Sequence, residues 1–187
     1  MSVILHVDSS VRAITNSNPE HDSISKMLAR QFINKLQQAA NTDEYIYRDV
    51  GMNPPPFITQ DWIGAVFTPE QKRTALQQQL LAQSDELISE VEKAGIIVIS
   101  SPMYNYGMPA QLKAWFDQIV RINKTFDFDI ARGDKPLAPL LSGKTLVIIT
   151  SSGEFGFEPG GINEGASHLV PHLRTVSKYL GVTDIYE

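Results

Sequence analysis

Short apolar runs alternate with segments of helical periodicity along this chain of 187 residues, and the alternation restricts its fold more than any other property. Residues 96–99, Ile-Ile-Val-Ile, and residues 144–150 are rich in β-branched side chains, as strands buried on both faces are. Shorter runs predict three more strands, over residues 3–7, 44–48 and 182–186. Strands separated by helices predict an α/β protein with a doubly wound parallel sheet in three layers, α/β/α. Five such strands favour the order 2-1-3-4-5.

Apolar residues at helical spacing predict four helices between these strands. They are residues 23–40, a long helix that ends at Gly95, a helix opened by Pro109, and residues 163–180. The long helix is predicted to start at Thr68, because Thr68 offers an N-cap hydroxyl, Pro69 suits the first helical position, and Gln71 lies three residues on. The chain ends in the fifth strand, although a doubly wound sheet needs helices on both faces. We therefore expect a single domain, residues 1–187, that lacks a C-terminal helix or has that face covered by a partner.

Charge and composition exclude several classes of protein. The chain has 16 basic and 21 acidic residues and no basic tract, which argues against nucleic acid or an anionic membrane as the main partner. It has no cysteine, which rules out disulfides, thiolate metal sites and thiol catalysis. No stretch approaches the roughly 18 apolar residues of a membrane span, and the N-terminus has no basic region typical of a signal peptide. We expect a soluble, cytoplasmic protein without a metal site.

Ligands of doubly wound sheets bind beyond the carboxyl ends of the strands, and the first strand end carries hydroxyls. Ser10 follows this strand, and Ser23 and Ser25 stand at the start of the first helix. Hydroxyls and free backbone N–H groups at a helix N-terminus form an anion site. Plain helix capping is the alternative interpretation of these serines.

Two further strand ends suggest a site for a flat ring. Met103, Tyr104, Asn105 and Tyr106 follow the third strand, and an apolar ring could lie along this loop while backbone N–H groups meet its polar edge. Packing of these aromatic side chains onto the core is the alternative. Ser151-Ser152-Gly153 follows the fourth strand and is small enough for a planar ligand to approach the backbone.

The motifs at these strand ends resemble those of the FMN-dependent NADH azoreductase and quinone reductase family. They are Ser9-Ser10, Ser23-x-Ser25-x-x-Leu28, Pro102-Met103-Tyr104-Asn105-Tyr106, Pro109-x-x-Leu112-Lys113 and Thr150-Ser151-Ser152-Gly153. The resemblance runs from residue 1 to about residue 186, and the Met-Tyr-Asn-aromatic loop is its most specific part. It implies a flavodoxin-like fold.

The resemblance also implies a function. Members of the family bind one FMN tightly per subunit and form homodimers whose flavin sites lie near the interface. A hydride from NADH or NADPH would pass by way of FMN to quinones and azo compounds in a ping-pong scheme, with no obligate catalytic residue. Ser10, Ser23, Ile24 and Ser25 would hold the phosphate. The ring would lie against Met103, Tyr104, Asn105 and Tyr106 on one edge and against Ser151, Ser152 and Gly153 on the other.

Three departures from the family and two alternatives accompany this interpretation. The loop over residues 13–21 is longer and more polar than expected, and no helix follows the fifth strand. Glu154 stands where the family often has a second glycine, and a carboxylate there would disfavour an anionic reduced ring or simply point to solvent. A flavodoxin-type electron carrier would bind FMN without turning over a small substrate. A serine hydrolase would depend on Ser9 or Ser10 and a distant histidine. His168 and His172, four residues apart, are interpreted as a helix-surface pair and not as metal ligands.

Overall fold

A computed structural model describes residues 3–39 and 44–187 of the chain. Its central sheet contains five parallel strands in the spatial order β2-β1-β3-β6-β7. These strands are β1 (Val3–Asp8), β2 (Tyr45–Asp49), β3 (Ala94–Pro102), β6 (Lys144–Ser151) and β7 (Val182–Tyr186). When these five strands are numbered 1 to 5 along the chain, with β6 as the fourth and β7 as the fifth, their spatial order is the predicted 2-1-3-4-5. The doubly wound sheet is therefore confirmed.

Five α-helices connect the strands within the described residues: α1 (Ile24–Ala39), α2 (Gln60–Phe67), α3 (Ala75–Lys93), α4 (Ala110–Ile119) and α5 (Leu169–Ser177). The predicted end of the first helix at residue 40 lies outside the described residues. Pro109 is the N-cap of α4 and not its first residue. No helix among residues 3–39 and 44–187 is long and apolar enough to cross a membrane.

The predicted start of the long helix at Thr68 is wrong. Thr68 instead ends α2, because its N–H and its hydroxyl both donate to the carbonyl of Gly64. The true start of α3 is Thr74, whose hydroxyl accepts from the N–H of Gln77 at 3.2 Å, while the Gln77 side chain accepts from the Thr74 N–H at 3.0 Å. This reciprocal capping box has the same Thr-x-x-Gln spacing as Thr68 and Gln71.

The predicted end of the long helix is also wrong. The helix stops at Lys93, and the extended residue Ala94 begins β3, so that Gly95 belongs to the strand. A glycine in the left-handed conformation is not needed here, because the chain passes from helix to strand without a turn.

The last helix begins six residues later than predicted. Gly165, inside the predicted helix, has a φ value of +75°, which an α-helix does not accommodate. Residues 158–166 form bends and turns, and α5 begins at Leu169, followed by a short 3₁₀ turn, Lys178–Leu180, that ends at Gly181. Sequence analysis also missed α2 and the antiparallel pair β4 (Phe126–Phe128) and β5 (Leu137–Pro139).

Successive residues of β1 face opposite sides of the sheet and belong to two cores. Leu5 and Val7 pack with residues of α3, α4 and α5. Ile4 packs on the opposite face against Ile33 of α1. The three-layer α/β/α arrangement follows, with the carboxyl ends of β1, β3 and β6 side by side at one edge.

Candidate functional site

A cleft with a volume of about 270 Å³ lies at the carboxyl ends of β1, β3 and β6. This is the edge at which doubly wound sheets bind their ligands. Eight of the eleven predicted site residues line the cleft: Ser10, Ser23, Ile24, Met103, Tyr104, Ser151, Ser152 and Gly153.

The remaining three predicted residues lie beside this cleft. Asn105 and Tyr106 line a second cleft of about 170 Å³ that adjoins the first, since both share Met103, Ser152 and Gly153. Ser25 is fully buried, and its hydroxyl oxygen lies 3.3 Å from that of Ser23. The side chain of Ser25 therefore supports that of Ser23.

The first turn of α1 forms one end of the main cleft. The Ser23 hydroxyl accepts from the N–H of Lys26 at 3.4 Å, so Ser23 is the N-cap of the helix. Among the hydrogen bonds of the described residues, none uses the N–H groups of Ile24 and Ser25 as donors. Together with the hydroxyls of Ser10 and Ser23, these N–H groups form a set of donors at the positive end of the helix dipole, which is an arrangement suited to an anion.

Two charged residues that are not among the eleven predicted site residues also line this end of the cleft. Arg12 is exposed and supplies a cation. The Asp22 carboxylate accepts from the backbone N–H and the side-chain amide of Asn16, at 2.9 and 2.8 Å. Asn16 also donates to the carbonyl of Ala13 at 3.1 Å, so it closes the long polar loop between β1 and α1.

The loop after β3 forms the other end of the cleft. The N–H of Tyr104 donates to the carbonyl of Gly107, and the N–H of Gly107 donates back, both at 3.0 Å. Between them, Asn105 and Tyr106 have φ values of 48° and 64°, the left-handed pair that closes a tight two-residue turn. No hydrogen bond among the described residues uses the N–H groups of Asn105 and Tyr106 as donors. A tyrosine in this conformation is strained, and such strain is concentrated at functional sites.

The segment after β6 completes the cleft. The Met103 N–H donates to the carbonyl of Ser151 at 2.7 Å and joins this segment to the loop after β3. No atom lies within 4 Å of the position that a Cβ would occupy on Gly153, so a side chain there would extend into open space. The backbone at Gly153 is therefore open to a flat ligand.

Buried polar side chains behind the cleft fix the ends of β1 and β2. Asp8 accepts hydrogen bonds from Ser100 and, at 2.8 Å, from Tyr47, and one of its oxygens lies 2.9 Å from His6 Nε2. Burial alone would raise the pKa of Asp8, but the contacts with His6, Ser100 and Tyr47 outweigh burial and lower it. Burial and the bond to Asp8 raise the pKa of Tyr47 well above its ordinary value. The network therefore keeps a charged carboxylate directly below the Ser9-Ser10 turn.

A second buried contact fixes the first turn of α1. Lys26 Nζ lies 2.6 Å from Asp49 Oδ2, and the lysine side chain is 3% exposed. Because Lys26 follows Ser25 directly, this ion pair holds the start of α1 against the end of β2. Gly51 then passes close to Ser10, since a Cβ on Gly51 would lie 1.9 Å from the Ser10 carbonyl oxygen.

The side-chain contacts do not support a serine hydrolase. The Ser9 hydroxyl donates to the carbonyl of Ser100, and His6 contacts Tyr45 and Asp8. Within the described residues, no hydrogen bond joins a histidine to a serine hydroxyl, so no serine has a histidine base within reach. His168 precedes the first residue of α5, and no group of three or more possible metal ligands occurs in the part of the chain that the structure describes.

Comparison with known proteins agrees with this fold and cleft. A family model described as having a flavodoxin-like fold, Flavodoxin_2, matches residues 9–186, and the chain belongs to that family. All of this chain aligns with 78% of an FMN-dependent NADH:quinone oxidoreductase 2 of Idiomarina loihiensis at 70% identity. The whole chain also aligns with 85% of a protein of the same name from Colwellia psychrerythraea at 60% identity.

Among solved structures, the chain is similar to an FMN-dependent NADH-azoreductase of Bacillus anthracis in complex with FMN. The TM-score is 0.82 at 19% identity, over 100% of this chain and 85% of that one. At that identity the likeness confirms the fold.

Proposed function

We propose that the chain is an FMN-dependent oxidoreductase that transfers electrons from NADH or NADPH to quinones and azo compounds. The observation that carries this proposal is the arrangement of the cleft. One end offers hydroxyls and free N–H groups for a phosphate, and the other offers a Met-Tyr-Asn-Tyr turn for a planar ring. The curated relatives at 70% and 60% identity are named for this activity.

The donor set fits FMN. Ser10, Ser23, Ile24 and Ser25 would hold the phosphate, with Ser25 contributing its N–H and supporting the Ser23 hydroxyl, and Arg12 would add a positive charge. Such a set can bind an anion although the chain has a net negative charge, since hydroxyls, amide dipoles and one guanidinium would lie next to the phosphate.

The turn after β3 and the segment after β6 would contact the two edges of the ring. Met103 and Tyr104 would lie along it, the free N–H groups of Asn105 and Tyr106 would meet its polar atoms, and residues 151–153 would approach its far side. When bound, FMN supplies the chemistry that accepts and donates a hydride. The chain binds the reactants in turn over one ring, and its own side chains position them without an obligate acid or base. That one-site arrangement is the basis for proposing a ping-pong scheme.

An exposed apolar cleft supports a homodimer. Its volume is about 450 Å³, and Trp62, Ile63, Phe67, Phe128 and Leu137 are among the residues that line it. Phe67 is 69% exposed and Phe128 54%. Apolar patches of this kind mark contact surfaces, and we propose that a second copy of the chain covers this one, with flavin sites near the interface. The cytoplasmic location stays part of the proposal.

A steady-state assay with NADH and benzoquinone tests the function. With oxygen excluded, we expect purified protein with FMN to oxidise more NADH than its bound FMN can accept only when the quinone is present, with parallel lines in double-reciprocal plots at several quinone concentrations. An electron carrier of the flavodoxin type would bind FMN and show no turnover, and that result would contradict the proposal.

A further inference from the structure

Glu154 places a carboxylate at the ring end of the candidate site. It lines the second cleft together with Met103, Asn105 and Tyr106. Because this cleft shares Met103, Ser152 and Gly153 with the main one, a ligand that extends past the Met103–Tyr106 turn would approach Glu154. The carboxylate therefore lies at the end of the site that would bind the ring, and not at the end that would bind the phosphate.

Neutral groups hold this carboxylate in place. The Tyr106 hydroxyl lies 3.2 Å from Oε1, and the Asn163 side-chain amide donates to Oε2 at 3.3 Å. The Asn163 amide is itself held by the carbonyl of Phe155 at 2.9 Å, and Tyr106 is held by the bond of its carbonyl to the N–H of His168 at 2.8 Å. None of these partners carries a positive charge, so the negative charge of Glu154 is oriented without being neutralised.

The surrounding segment adds negative charge only. Between Lys144 and Arg174 the sequence contains no lysine or arginine, but it contains Glu154, Glu158 and Glu164. Among the described residues, Glu154 takes part in no ion pair. Arg12, the cation of the main cleft, lies at the opposite end beside Ser10 and Ser23. The phosphate end thus holds the cation Arg12 beside the Asp22 carboxylate, whereas the ring end holds the Glu154 carboxylate and, among the described residues, no cation.

We propose that Glu154 determines acceptor specificity by disfavouring substrates that carry a sulfonate or carboxylate, in favour of neutral quinones. This inference depends on the proposed function. A carboxylate that is held in place repels an anionic acceptor docked over the ring end, whereas a neutral acceptor of the same shape meets no such repulsion. Because Glu154 is exposed, water weakens the effect to about threefold for a unit charge roughly 6 Å away at low ionic strength.

The test compares a neutral and an anionic quinone of similar shape, 2-methyl-1,4-naphthoquinone and 1,4-naphthoquinone-2-sulfonate. The quantity measured is the ratio of kcat/KM for the sulfonate to kcat/KM for the neutral quinone, with NADH and the FMN-loaded protein. We expect Glu154→Gln to raise this ratio about threefold in dilute buffer and by less in about 0.5 M salt, where charges are screened within a few ångströms. Equilibrium dialysis of the sulfonate against the oxidised protein gives a readout without turnover, and its Kd is expected to fall by the same factor.

Glu158→Gln is the matched control, since it removes the same charge from the same segment but from a residue that lines neither cleft. Its ratio should equal that of the wild type. A ratio and a Kd that do not change in Glu154→Gln, or that change equally in Glu158→Gln, would overturn the assignment while leaving the proposed function intact. A wild-type protein that reduces neither quinone would instead contradict the proposed function, and the specificity assignment with it.

Discussion

A serine at the start of a helix can cap the helix or line a ligand cleft, and the sequence alone does not distinguish the two roles. Ser23 caps the helix by accepting from the Lys26 N–H, and it also lines the cleft. The spacing of Ser23 and Ser25 left anion binding and plain capping as alternatives, and it did not predict which hydroxyl faces the cleft. Packing decides that point, because Ser23 lines the cleft, whereas Ser25 is fully buried and does not line it.

Replacing Ser23 by alanine should weaken FMN binding by about 1.5–3 kcal/mol, tenfold or more, if the hydroxyl donates to a charged phosphate. Loss of the cap would also lower stability by about 1 kcal/mol. Riboflavin separates the two effects, because it has the ring and lacks the phosphate. A fluorescence titration should show weakened FMN and unchanged riboflavin affinity, and equal losses for both ligands would remove Ser23 from the phosphate site.

Because of Asp8, the stability of the protein should fall as the pH decreases through the acidic range. Its pKa is lower in the folded chain than the ordinary 3.8, so the folded state binds fewer protons than the unfolded state in that range. The stability that the charged carboxylate contributes is complete above about pH 5 and is lost as the pH falls through 3.8 and on through the folded pKa.

Urea unfolding between pH 3 and pH 7 tests this dependence in Asp8→Asn. The variant should be less stable than the wild type at pH 7, and the difference should shrink as the solution becomes more acidic. A constant difference across the range would show that the Asp8 charge does not contribute.

At the scale of the elements, a local signal that occurs twice explains the wrong start predicted for the long helix. Thr68 and Gln71 have the spacing of a capping box, as do Thr74 and Gln77, and only the second pair forms one. The choice depends on α2, whose last turn uses Thr68, and α2 itself was not predicted. The five strands of the central sheet were predicted well because continuous apolar runs between helices allow few alternatives.

The turn after β2 offers a test at this scale. A Cβ on Gly51 would overlap the backbone of Ser10, so Gly51→Ala must displace the Ser9-Ser10 turn and should weaken FMN at least tenfold. Gly64→Ala is the control, because no atom lies within 4 Å of its Cβ position in α2. Alanine in a helix interior should stabilise the protein by up to about 1 kcal/mol. FMN titration and thermal unfolding distinguish the two variants, and unchanged FMN affinity in Gly51→Ala would mean that the turn does not shape the site.

For the whole molecule, the sheet order and the position of the cleft followed from the sequence because connection handedness and strand burial restrict the topology. The apolar cleft was not predicted from the sequence, because it is lined by α2, β4 and β5, which the sequence analysis missed. Glu154 was noticed only as a departure from a resemblance, and the structure adds the contacts with Tyr106 and Asn163 that hold it.

A dimer that buries the apolar cleft should depend on Phe67, which is 69% exposed at its rim. Multi-angle light scattering should give twice the chain mass of 20.8 kDa for the wild type and a monomer for Phe67→Lys. Phe155→Lys is the control, because Phe155 is 79% exposed but lines no part of that cleft. A wild-type monomer with full activity would contradict a shared site.

The most direct test of the account is a crystal structure of the protein grown with FMN. The phosphate should lie within hydrogen-bonding distance of the Ser10 and Ser23 hydroxyls and the N–H groups of Ile24 and Ser25. The ring should rest between residues 103–106 and 151–153. A flavin bound at any other place, or a cleft that excludes it at saturating FMN, would contradict the central claim.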